Sequence, residues 1–98
     1  MPNSYVNLIY HLIFSTKERK PFIKEPFRGR LHDYLQGAIR GEGGRSIEVG
    51  GSDDHVQVLT HLRADRALSK VLQRVKSSTT GWVHSHFPEL HSFAWQGG

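Results

Sequence analysis

"HVQVLTHL", residues 55–62, decides how this chain folds. Val56, Val58, Thr60 and Leu62 alternate with His55, Gln57, Leu59 and His61. A period of two belongs to a β-strand with one face on a core and the other turned away. With the valines inward, His55, Gln57 and His61 share the open face. A slip of one residue in register would reverse that assignment.

The pattern recurs upstream. Over Tyr5 to Ser15, the apolar set Val6, Leu8, Tyr10, Leu12 and Phe14 alternates with Asn7, Ile9, His11, Ile13 and Ser15. This segment reads as a second strand, and the same logic puts His11 on the open face. A charged connection, Thr16 to Pro21, follows it. From Glu25 to Arg40 the period lengthens: Phe27, Leu31, Tyr34, Leu35, Ala38 and Ile39 make one helix face, and Gly41, Gly43 and Gly44 end it. Arg45 to Val49 reads as a strand paired with 55–62 through the loop Gly50-Gly51-Ser52-Asp53-Asp54. Asp65 is the expected N-cap of a second helix, Arg66 to His84. Its inner face would be Leu68, Val71, Leu72, Val75, Thr79 and Trp82, with Lys70, Arg74 and Lys76 as a basic strip outside. In the tail, Phe93 and Trp95 alternate with Ala94 and Gln96, as in a last strand.

The order strand, helix, strand, strand, helix, strand predicts an α+β, ferredoxin-like fold. Its antiparallel sheet carries both helices on one face. In RNA-recognition modules of this layout, nucleic acid lies on the open face.

Composition narrows the function. Ninety-eight residues make one domain. The formal charge of +4 and a pI of about 9.8 favour an anionic partner, nucleic acid being the commonest. The chain has no cysteine, which excludes disulfides and thiolate metal sites and fits a cytoplasmic location. No apolar run approaches the ~18 residues of a membrane span.

On a strand, the His55-x-Gln57 spacing puts an imidazole and an amide about 7 Å apart on one face. Nitrogen and amide oxygen together suit Mg²⁺ or Mn²⁺ better than structural zinc. By spacing alone, such a pair is far more often an ordinary half-exposed strand than a ligand pair.

Longer stretches carry a resemblance. Tyr10-His11 with Thr16-Lys17-Glu18-Arg19, then Gly50-Gly51 and Asp54-His55-Val56, then Lys76-Ser77-Ser78, and finally Phe93-Ala94-Trp95-Gln96 occur in this order. The chain resembles the single-tyrosine, HUH-type transposases of bacterial insertion sequences, which include the REP-associated transposases. The resemblance implies a metal-dependent strand transferase acting on single-stranded or hairpin DNA. A divalent cation on the histidine pair polarises the scissile phosphate, and a tyrosine attacks to form a phosphotyrosine link. Such proteins are usually homodimers.

Two departures stand out. Gln57 occupies the second motif histidine, and the nucleophilic tyrosine of the family belongs to a helix beyond the last matched segment. Tyr5, Tyr10 and Tyr34 match no such position, so no catalytic residue is expected in residues 1–98. His55 and Gln57 are then the expected metal ligands, with His11 and His61 lining the site. Lys17, Arg19, Lys20, Lys70, Arg74 and Lys76 are candidate DNA contacts. His84, His86 and His91 are too irregularly spaced for a zinc cluster. Trp82 and Trp95 read as packing residues. Two functions stay open: a DNA-binding transposase relative with impaired catalysis, and a non-catalytic dimeric remnant.

Overall fold

The computed structural model describes residues 7–97. It contains three strands, β1 (Asn7–Ser15), β2 (Arg45–Gly51) and β3 (His55–Arg63), and two long helices, α1 (Phe27–Gly41) and α2 (Leu68–His86). The sheet is antiparallel in the order β1-β3-β2. Tyr5 and Val6, expected at the start of β1, lie outside the described residues.

β1 and β3 pair without interruption, from Asn7 opposite Arg63 to Ser15 opposite His55. Leu12 and Phe14 therefore sit beside Val58 and Val56, and all four are buried. α1 presents Phe27, Leu31, Leu35 and Ile39 to this face, and α2 presents Val71, Val75, Thr79 and Val83. Each stripe repeats every four residues, close to the helical period. One core holds both stripes and the inward strand residues. Burying each of the Val, Leu, Ile and Phe side chains contributes about 1.5–3 kcal/mol. The buried threonines are satisfied locally: Thr60 Oγ1 donates to Arg45 O at 2.9 Å and Thr79 Oγ1 to Val75 O at 2.6 Å.

Two expectations need correction. The tail forms no strand: its pairing at the end of β1 is an isolated bridge between Thr16 and Trp95. Its hydrogen bonds are Lys17 N to Ala94 O, 2.9 Å, and Gln96 N to Ser15 O, 2.7 Å. Before Trp95 the pairing stops because the chain past Thr16 leaves the sheet in a tight turn, Lys17–Arg19, so Phe93 and Ala94 have no extended partner. The tail is anchored by side chains instead, with Phe93 and Trp95 buried against each other and Trp95 against Phe14, ring centroids 5.0 and 5.7 Å apart. The second correction concerns Asp65. Arg63 takes its carboxylate in a fork, at 3.1 and 2.8 Å, and α2 starts at Leu68 with no side-chain cap.

Candidate functional site

The register that buries Val56 and Val58 turns His55, Gln57, Leu59 and His61 to the sheet face without helices. Gln57 stands opposite Ile13, and Leu59 opposite His11. Ile9 and Ile13 on this face are 60% and 62% exposed, so the face is open to solvent. His11 Nε2 lies 3.3 Å from Gln57 Oε1. An amide oxygen only accepts, so His11 is the donor. The two line a recess of about 380 Å³ with Glu48, Val49, Gly50 and Leu59.

Glu48 reaches this recess because β2 is irregular. Ser46 pairs with Thr60, but Glu48 pairs with Leu59. The intervening bulge absorbs Ile47 and turns Glu48 to the open face, where strict alternation would have pointed it inward. Sequence reasoning missed Glu48, and no pattern in "RSIEVGG" announces the bulge.

His55 begins β3, directly after the hairpin turn. Its Nδ1 lies 3.1 Å from Asp54 Oδ1 and 3.0 Å from Ser52 Oγ, while Ser52 Oγ donates to Asp54 Oδ1 at 3.1 Å. Arg19 donates to the same carboxylate through Nε at 3.1 Å and Nη2 at 3.3 Å. Those bonds, Arg19's first and His55's next, hold the Asp54 carboxyl down at about 2 against an opposing cost of desolvation. Nε2 of His55 makes no hydrogen bond among the described residues. Ser52 and Asp54 share one nitrogen of the ring, whereas a hydrolytic triad needs nucleophile and acid on opposite nitrogens. Acyl transfer by Ser52 is therefore excluded.

The turn is tied down from two sides. Asp54 O accepts from Thr16 N at 2.9 Å, and the single Thr16 Oγ1 proton lies between Lys20 O at 2.7 Å and Asp54 O at 3.1 Å. Asp53 O accepts from Ile23 N at 2.8 Å, and the Asp53 carboxylate pairs with Lys24 at 3.1 Å and with Arg28. Gly51 enters the turn at φ +148, and a Cβ there would fall on the carbonyl oxygen of His55 and within 2.9 Å of Val56 Cα. Only glycine fits this approach.

The chain matches the family model described as "Transposase IS200 like" over residues 4–98. The chain belongs to the IS200-like transposase family. No curated protein matches it. Among solved structures, that of a Deinococcus radiodurans protein assigned as a transposase aligns with a TM-score of 0.90 at 22% identity, covering 100% of this chain and 80% of that one. At that identity the likeness is one of fold.

In this member of the family the expected site residues divide. His55 and Gln57 lie toward one end of the open face, and His11, opposite Leu59, stands near its middle, within reach of Gln57. His61 lies at the other end of β3, opposite Ile9 and Arg45, with Nδ1 buried and unpartnered among the described residues. Lys17, Arg19 and Lys20 follow β1 and flank the His55 end. Lys17 is exposed, Lys20 Nζ is 3.7 Å from Glu18, and Arg19 is committed to Asp54. The α2 cations lie in the helical layer, behind the sheet. Lys70 and Arg74 line a groove of about 1080 Å³ between the helices, where Arg74 Nε donates to Glu42 at 2.9 Å. Lys76 Nζ donates to Gln96 O at 3.1 Å, beside the tail.

The described tyrosines are placed away from His55. Tyr10 stands opposite Thr60 on the core face. Tyr34 donates its hydroxyl to Ser78 O at 3.2 Å and stacks on Trp82 at 4.5 Å. Tyr5 lies outside the described residues. Sequence reasoning also missed Ser52 and Asp54 as partners of His55. An available signal was a carboxylate directly before a strand histidine, at a turn.

Proposed function

We propose that this IS200-like transposase binds single-stranded or hairpin DNA across the open sheet face, seating a phosphate at His55. The observation that carries the reading is the His55 ring: Nδ1 is occupied by Asp54 and Ser52, and Nε2 has no partner among the described residues, on the same face as Gln57 and His11. Lys17 and Lys20 stand at this end and suit backbone phosphates. On this reading Lys70, Arg74 and Lys76 meet a different part of the DNA, because they lie on the helical side.

The donor set fits a hard divalent cation. His55 supplies a nitrogen and Gln57 an amide oxygen with a second lone pair to spare. Among the described residues no group of three histidines, cysteines or carboxylates stands where it alone could hold a metal. Mg²⁺ and Mn²⁺ tolerate this, since water and phosphate oxygens complete their shells. Such a cation would polarise the phosphate it shares. His55 and Gln57 would hold and orient that phosphate, and His11 would hold the Gln57 amide.

Strand transfer also needs a nucleophile. Tyr10 and Tyr34 are both engaged away from this face, so the described residues bind without attacking, and any activity is weakened by an amide in place of the second imidazole. Homodimerisation belongs to the same proposal. No helix among the described residues is long and apolar enough to cross a membrane.

Anisotropy of a labelled hairpin oligonucleotide tests the binding. With roughly three to five phosphates neutralised, log K should fall against log salt with a slope of roughly −2 to −4. An affinity indifferent to salt refutes electrostatic recognition.

A further inference from the structure

We propose that Arg19 and Asp54 are positioning residues that fix the His55 ring with its proton on Nδ1 and its Nε2 lone pair toward the open face. The proposal rests on the reading of His55 as the group that meets the cation.

Three observations carry it. The first is the unbroken chain of contacts: both Asp54 oxygens accept from the Arg19 fork, and Oδ1 also faces His55 Nδ1. An ionised carboxylate only accepts, so the ring must donate. The Ser52 hydroxyl spends its proton on Asp54 and offers Nδ1 a lone pair, which requires the same tautomer. Unpartnered histidine prefers its proton on Nε2, and a hydrogen bond at the other nitrogen reverses that preference.

The second observation is the backbone that delivers Arg19. Glu18 and Arg19 are consecutive non-glycine residues at φ +58 and +56. Such conformations persist only where surrounding bonds over-determine them. Here Arg19 N donates to Thr16 O at 3.0 Å, Lys20 N to Lys17 O at 3.3 Å, and Glu18 N to Gln96 Oε1 at 3.1 Å. The third is that one turn holds Asp54 twice, Thr16 gripping its carbonyl and Arg19 its carboxylate. The fork commits Nε and Nη2 to Asp54, so Arg19 acts on the His55 ring through that carboxylate.

Nitrogen-15 NMR of the histidine rings at about pH 8.5, where imidazole is neutral, reads the tautomer directly. His55 should carry its proton on Nδ1 in the wild type, mainly on Nε2 in Asp54→Ala, and in a mixture in Arg19→Gln, with Arg19→Lys closer to wild type. Mn²⁺ affinity should fall about 10–100-fold in Asp54→Ala. A purely structural role would leave the tautomer unchanged. A wild-type ring protonated on Nε2, or an Asp54→Ala ring still protonated on Nδ1, overturns the proposal. So does an Asp54→Ala protein that binds Mn²⁺ normally when His55→Ala does not. If His55→Ala itself binds Mn²⁺ normally, the metal reading beneath the proposal falls, and both go.

Discussion

Replacing Gly51 by alanine should damage this protein far more than the same change at its neighbour Gly50. At Gly51 the new methyl would fall on the His55 carbonyl oxygen and within 2.9 and 3.1 Å of Val56 Cα and His55 C. All three are backbone atoms of the paired strand, so no side chain can swing clear. The φ of +148 adds strain for any L side chain. Relief requires the turn to open, and the first bond lost is Ser52 N to His55 O, 3.0 Å. Backbone strain of about 1–3 kcal/mol and a lost bond of about 1 kcal/mol give a destabilisation of about 2–4 kcal/mol. In a 98-residue domain that lowers Tm by roughly 10–25 °C. At Gly50 the nearest atom to an added Cβ is Gln57 Nε2 at 3.8 Å, an ordinary contact, and the expected cost is under about 1 kcal/mol. Thermal unfolding followed by circular dichroism compares the two. Equal Tm values for Gly50→Ala and Gly51→Ala would refute the account of the turn.

Phe93→Ala should lower stability by about 3–5 kcal/mol in urea titration, because Phe93 is 1% exposed and holds the tail against the core; a change below ~1 kcal/mol would mean the tail is not docked. His32→Gln should flatten the acid side of the stability profile. Burial, then the Arg28 charge, holds His32 below 6.5, so its contribution is full above about pH 6.5 and is lost as pH falls through the lower folded value. Urea midpoints taken near neutrality and near pH 5 should therefore diverge more in wild type than in the variant; equal losses refute the assignment. Gln57→His should raise Mn²⁺ affinity on the order of tenfold, read by calorimetry; no gain would place the ion elsewhere.

Much of the fold was legible because it rests on periodicity. The alternation in 55–62 assigned inward and outward residues correctly, and pairing of Phe14 with Val56 agrees with both strands' patterns. The helix stripes were legible for the same reason, though Leu68, Leu72, Ala38 and Trp82 turned out half-buried at the margins of the core, and Tyr34 half-buried too. The tail was misread because Phe93-Ala94-Trp95 alternates like a strand, and alternation says nothing about whether a partner strand continues alongside. His61 shares a face with Gln57, but a face has length, and four residues of strand separate them by about 13 Å.

The amino-acid order by itself determined which residues face the helices and which face solvent, since that follows from local repeat and hydrophobicity. It thereby placed His11, His55 and Gln57 on one surface. What only the tertiary structure decided is how those groups are held. The bulge at Ile47 turns Glu48 outward, and the left-handed turn at Glu18 and Arg19 brings a guanidinium to Asp54 from 35 residues away. Both depend on where two distant backbone segments meet, and a one-dimensional pattern carries no record of that distance.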